Sequence, residues 1–192
     1  IGGVFRDIPA DFDSMVKDLV TEFRRFLEEM RSMTIGNRIF EDRMRGVGII
    51  SSADAVNWGL TGPILRASGI AYDVRKARPY SGYERYDFEV PTQDGGDSYS
   101  RFVQRLEECD QSLDIISQAI EDLPEGPVLS EDKKISLPEK DEVHQNIESL
   151  IHHFKQIMFG HGILPERGGE VYSSTESPNG ELGFYMVSDG EM

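Results

Sequence analysis

The side chains best equipped for chemistry crowd into one stretch. Between Gly62 and Pro91, Arg66, Arg75, Lys76, Arg78 and Arg85 face only Asp73 and Glu84 up to the last of those arginines, with Tyr72, Tyr80, Tyr83, Tyr86 and Phe88 interleaved. A guanidinium is a planar fork of donors that matches a carboxylate, and arginine and tyrosine are enriched where proteins grip one another. Two chemistries follow. In one, the arginines fork onto carboxylates of the same domain, with Glu107, Glu108 and Asp110 as candidates, and clamp the loop in place. In the other, Arg66, Asp73, Arg75, Arg78, Tyr80 and Tyr83 form a subunit interface.

Catalysis by the chain alone has no visible machinery. There is no Gly-x-Ser-x-Gly elbow, and "RGGEVYSSTESPNG" lacks both the strand–loop–helix order and the lysine of a phosphate loop. Cys109 is the single cysteine, so an intrachain disulfide and a cysteine-held zinc or iron–sulfur site are excluded. It falls on the apolar stripe of a helical pattern, which makes it a packed thiol. His152 and His153 are neighbours on a helix and project about 100° apart, so one face cannot present both to a metal. With His161 beyond the helix end, no metal site is expected.

These residues need elements to hold them. Phe12, Met15, Val16, Leu19, Phe23, Phe26, Leu27 and Met30 fall on a helical grid from Asp11 to about Arg31, entered through Pro9 and Asp11. A shorter helix is predicted after Gly36, and "SSADAVNWG" reads as another, capped by Ser51 or Ser52 and stopped by Gly59. After the irregular segment, Tyr99, Phe102, Leu106, Cys109, Leu113, Ile116, Ile120 and Leu123 mark a long helix, with Asp97 or Ser98 as cap and Pro124 and Gly126 as its end. "LSEDKKISLPEKDE" is a polar linker holding a possible extended piece. A third long helix is predicted from Pro138 to Phe159, with Val143, Ile147, Leu150, Ile151, Phe154 and Met158 inward. Alternation around Ser-Pro-Asn-Gly then predicts a β-hairpin. The expected fold is mainly α: an antiparallel helical bundle with a long irregular central segment (60–96) and a small β-hairpin near the C-terminus. Its expected division is a bundle over 1–160 and a β element over 161–192.

With 192 residues, 38% of them hydrophobic, the chain can bury one sizeable core. Its 35 acidic against 20 basic residues, a formal net charge of −15, argue against a nucleic-acid partner, which demands a broad basic face. No apolar run approaches the about 18 residues that a transmembrane helix needs. The chain starts without methionine and stops beside a strand-like run, and is read as a piece of a longer protein.

"LRASGIAYDVRKARPYSGYERYDFEVP" resembles the D subunit family of respiratory complex I, the proton-pumping NADH:quinone oxidoreductase, which reads Leu-Arg-Gly-Ser-Gly-Ile, Asp-x-Arg-Lys, Pro-Tyr, Tyr and Phe-x-Val-Pro. Leu65, Arg66, Ser68, Gly69, Ile70, Asp73, Arg75, Lys76, Pro79, Tyr80, Tyr83, Phe88, Val90 and Pro91 carry the match, and Ala67 departs where glycine is usual. "GGVFRDIP", "GDSYSRFVQRLEE", "ESLIHHFK" and "ESPNGELGFYMVSDG" are similar to further family blocks in the same order, with Ser177 and Asn179 departing in the last.

The resemblance implies a scaffold of the peripheral arm on the cytoplasmic side of the bacterial inner membrane. Such a scaffold docks the B and C subunits of complex I and neighbouring membrane-arm subunits, and helps enclose quinone at the boundary between B and D. NADH and quinone are then used by the whole complex, the iron–sulfur clusters sit in partner subunits, and this chain binds no cofactor. The histidine and tyrosine that hold the quinone headgroup in this family lie upstream of Ile1. In hydrogenase relatives, the loop similar to 176–180 carries an arginine over the former nickel site, so Pro178 and Asn179 are expected in the quinone-cavity wall. Two other readings are a fragment of a membrane-bound nickel–iron hydrogenase large subunit and a helical interaction module without redox context.

Overall fold

The computed structural model describes residues 2–4, 6–132, 134–158 and 165–190. The chain is mainly helical, with a two-stranded antiparallel hairpin near its C-terminal end. In order come α1 (Phe12–Thr34), α2 (Arg38–Met44), α3 (Ser52–Asn57), α4 (Gly62–Arg66), α5 (Val74–Ala77), α6 (Ser98–Glu121), α7 (Lys140–Gln145), α8 (Ile147–Met158), β1 (Glu170–Ser177) and β2 (Gly180–Val187). It divides into two compact units. One comprises Ile1–Ala10, Pro124–Tyr172 and Tyr185–Met192, and the other Asp11–Leu123 and Ser173–Phe184.

In the larger unit α1 and α6 lie antiparallel. Arg24 reaches Asp114 at 2.7 Å, and Arg31, two turns on, reaches back to Asp110 and to the Leu106 carbonyl. Between them Leu27, Leu106 and Leu113 form a buried core, edged by Val20, Met30, Phe102 and Cys109. Each such leucine is worth about 1.5–3 kcal/mol of burial. α2 begins at Asn37, whose side-chain oxygen accepts from the N–H groups of Ile39 and Phe40, and sets Phe40 against Phe102 with ring centroids 5.0 Å apart. Ser51 caps α3 and Asp97 caps α6, each accepting a main-chain N–H three residues on. The Asp97 carboxylate also accepts the Gly46 N–H, tying α6 to the chain that leads into α3.

Segment 60–96 is less irregular than its sequence implies, because two short α-helices and a 3₁₀ turn at Tyr83–Arg85 form inside it. Pro63 occupies the first turn of α4, where its missing N–H has no intrahelical partner to lose, and the Asp73 carboxylate caps α5 by accepting the Arg75 N–H. The extended stretch after Tyr86 is fastened to α6 by three glutamines. Gln118 both accepts the Asp87 N–H and donates to the Asp87 carbonyl, Gln111 accepts the Glu89 N–H, and Gln104 donates to the Pro91 carbonyl at 2.7 Å. Those glutamines recur every seven residues, one edge of the helix, so this chain satisfies its main-chain groups on a helix rather than in a sheet.

In the smaller unit, Leu129 at the start of the polar linker pairs with Gly3 in an antiparallel bridge. The predicted third long helix is broken into α7 and α8 at Asn146, which adopts an extended conformation with φ −126° and ψ 122°. Its side-chain oxygen accepts the Glu148 N–H, so asparagine trades helix continuation for a local turn bond. Phe159, the expected helix end, lies outside the described residues. The facing of α8 also differs from expectation. Ser149 and Gln156 are its buried side chains, Gln156 donating to the Ser136 carbonyl, while Ile147, Leu150, Ile151, Phe154 and Met158 are exposed.

Candidate functional site

Arg66 ends α4 and is 1% exposed, within the larger unit. Its Nε donates to Glu108 Oε1 at 2.6 Å, and its Nη1 donates to the Tyr72 carbonyl and to Glu176 Oε1, both at 2.9 Å. Asp73 Oδ2 stands 3.6 Å away. A buried charge survives only with such partners, since stripping water from an ion costs several kcal/mol. Burial opposes the charge on Arg66, but Glu108 and Glu176 outweigh it and raise the guanidinium's pKa further above its ordinary value. Arg75 holds Asp73 as a two-pronged fork, Nε to Oδ1 at 3.0 Å and Nη2 to Oδ2 at 2.7 Å. Burial would raise the Asp73 carboxyl, yet the Arg75 bonds and charge prevail and hold it below the usual carboxylate range.

These contacts converge on the hairpin tip. Glu176 and Glu181 bracket the turn, and both are gripped by segment 60–96. Glu176 accepts from Arg66 Nη1, accepts the Val74 N–H at 3.2 Å, and donates its own N–H to the Tyr80 hydroxyl at 2.9 Å. Glu181 pairs with Arg78 at 2.9 Å and donates its N–H to the Thr61 hydroxyl. Backbone meets backbone between them. A Cβ on Gly62 would lie 2.3 Å from the Gly180 Cα, and Gly62 has φ +69°, so glycine is required there on both counts. Tyr83 stacks edge-on against Tyr80 at 5.0 Å, and Arg75 lies over the Phe88 ring at 4.9 Å. Of the acidic residues that the sequence offered to the arginines, Glu108 pairs with Arg66, Glu107 with Gln93 and Asp110 with Arg31.

The turn and α6 together line a half-open cavity of about 410 Å³. Glu176, Ser177, Pro178 and Asn179 line it from the hairpin tip, Glu108 and Cys109 from α6, and Arg66 and Arg75 from segment 60–96. Arg105 and Ser112 continue the α6 wall, because 105, 108, 109 and 112 share one helix face. The Cys109 thiol is pushed up by burial and by the neighbouring Asp110 and Glu108 charges, which disfavours the thiolate. Among the described residues, no group of three or more His, Cys, Asp or Glu side chains is placed to hold a metal ion. His152 lies 3.7 Å from Glu148, His153 lines a separate cavity in the smaller unit, and His161 falls outside the described residues. Among the described residues, no helix is long and apolar enough to cross a membrane.

The family model for the 49 kDa subunit of respiratory-chain NADH dehydrogenase matches residues 1–192, and the chain belongs to that family. Its relatives carry a more particular name. The chain is 45% identical over 190 residues to the D subunit of the NADH-quinone oxidoreductase of Myxococcus xanthus, covering 99% of this chain and 45% of that protein. It is 44% identical over 189 residues to the D subunit from Magnetococcus marinus, covering 98% of this chain and 47% of that protein. It is also 48% identical over 190 residues to the C/D subunit from Bdellovibrio bacteriovorus, covering 99% of this chain and 33% of that protein. The chain thus spans less than half the length of these relatives.

Proposed function

We propose that this chain is the helical core of the D subunit in an NADH:quinone oxidoreductase, and that its part is to wall and shape the quinone cavity rather than to carry electrons. Iron–sulfur clusters of partner subunits bring electrons from NADH, and a B-type partner docks beside the cavity. The name of the Bdellovibrio relative, C/D, supports a C-type partner as another neighbour. The assembly sits peripherally on the cytoplasmic side of the inner membrane, against membrane-arm subunits. An antiparallel helical bundle is the architecture we infer for the helices of this chain, and the antiparallel pairing of α1 with α6 supports it.

The observation that carries this reading is the cavity along α6, lined by a turn that buried ion pairs hold down. Its wall combines the Pro178 ring, an apolar surface for a flat ligand, with the Asn179 amide, whose NH₂ donates to a carbonyl such as a quinone oxygen. A photoreactive quinone analogue added to the assembled enzyme is expected to label the peptide holding Pro178 and Asn179, with labelling suppressed by excess quinone. Label confined to other peptides, or insensitive to quinone, contradicts the reading.

A further inference from the structure

We propose that Arg66 and Glu176 are positioning residues that set how deeply the Pro178–Asn179 turn sits over α6, and thereby how bulky a quinone ring the cavity admits. The inference rests on the reading of that cavity as the quinone site and adds what determines its selectivity.

The side chains of Ser177 and Asn179 add little: the Ser177 hydroxyl accepts a 3.4 Å bond from the Asn179 N–H, and the Asn179 main chain packs against Gly62. The fixing comes from the residues on either side. Ahead of the turn, Glu176 is held at three points by different parts of segment 60–96: its carboxylate by Arg66 and by the Val74 N–H, its own N–H by the Tyr80 hydroxyl. Arg66 is in turn anchored on α6 through Glu108, which lines the same cavity. One guanidinium in the cavity lining therefore links α6 to the residue just ahead of the turn. Behind the turn, Gly180 rests on Gly62, and Glu181 is bonded to Thr61.

The two anchors differ in environment. At the front the side chains of Arg66 and Glu176 are 2% and 5% exposed, whereas at the back Arg78 is 54% exposed. Water competes for the Arg78–Glu181 pair and not for the Arg66–Glu176 one, so of the two ion pairs the front one holds the turn more tightly, while Gly62 and Thr61 fix its rear. Shortening the carboxylate arm at 176 by one methylene moves the tether by about 1.5 Å, a change comparable to a ring substituent.

The test uses the assembled enzyme carrying the full-length D subunit, with a series of short-tailed quinones from an unsubstituted benzoquinone to a naphthoquinone. Glu176→Asp is expected to change the ratio of KM values between the bulkiest and the smallest ring by about fivefold or more, with kcat for the smallest ring within twofold. NADH oxidation by a soluble acceptor that bypasses quinone should be unchanged. Tyr80→Phe, which removes one hydroxyl anchor and keeps the ring, should shift the ratio in part and remains informative if Glu176→Asp fails to assemble. Asn179→Trp fills the cavity itself and should raise KM for every quinone. A KM ratio unmoved by Glu176→Asp and Tyr80→Phe, with Asn179→Trp still raising all KM values, overturns the positioning role alone. No effect of Asn179→Trp overturns the cavity reading and this inference with it.

Discussion

Arg66 is a cation and is 1% exposed, whereas Phe26 projects from one of the clearest amphipathic helices of the chain and is 48% exposed. Around Arg66, Ala67, Asp73, Val74 and Phe88 are buried too. Along α1, Met15, Leu19, Phe23 and Met33 join Phe26 on an open face, although Leu27 on another face is buried against α6. Segment 60–96 buries itself with polar bonds directed at named partners, and α1 buries only the face that meets α6. Non-directional burial needs a surface to cover it, and a directional network closes on itself wherever its partners lie in the same chain.

Breaking the network should therefore cost far more than altering the open helix face. Arg66→Ala leaves Glu108 and Glu176 buried without their cation, and urea unfolding of the chain should report a loss of about 3–5 kcal/mol. A loss below about 1 kcal/mol would mean that the pairs are no tighter than surface contacts.

Asp73→Asn is the next largest, about 1.5–3 kcal/mol at neutral pH, as for a hydrogen bond to a charged group. This effect carries a pH signature. The Asp73 carboxyl binds its proton less readily in the folded chain than in the unfolded one, because the Arg75 fork overcomes the effect of burial. Its stabilisation is thus complete above the ordinary carboxylate pKa of about 4 and fades as pH falls through the lower folded value. Subtracting the pH–stability profile of Asp73→Asn from that of the parent chain should isolate this loss at acid pH. A difference that instead grew on acidification would show that the folded carboxyl is not held below its ordinary range.

Phe26→Ser on α1 is expected to shift stability by no more than about 0.5 kcal/mol, while lowering self-association in sedimentation. A drop of several kcal/mol would place Phe26 in a core and dissolve the contrast between the two regions.

The elements were largely readable before the partners were. Periodicity marked α1 and α6, the caps were narrowed to Ser51 or Ser52 and to Asp97 or Ser98, of which Ser51 and Asp97 serve, and Ser-Pro-Asn-Gly announced the hairpin, all because these signals are local. The break at Asn146 escaped because an apolar stripe runs through it, and only the side-chain bond to the Glu148 N–H favours the turn. The outward apolar face of α8 shows that periodicity says which residues share a face and not which way the face looks. Glu176, the centre of the clasp, lies 110 residues from Arg66, a pairing that no local rule encodes. A signal was nevertheless present, two glutamates bracketing one turn, downstream of a segment rich in unmatched arginines. The ladder of Gln104, Gln111 and Gln118 was likewise visible as a seven-residue spacing on one edge of a helix.

The central claim is that Arg66 and Glu176 stabilise one another as a buried pair in the cavity lining. A double-mutant cycle of Arg66→Met and Glu176→Gln, followed by urea unfolding of the 192-residue chain, measures that coupling directly. The account predicts a coupling energy of about 1–3 kcal/mol, whereas two effects that add to within about 0.3–0.5 kcal/mol would contradict it.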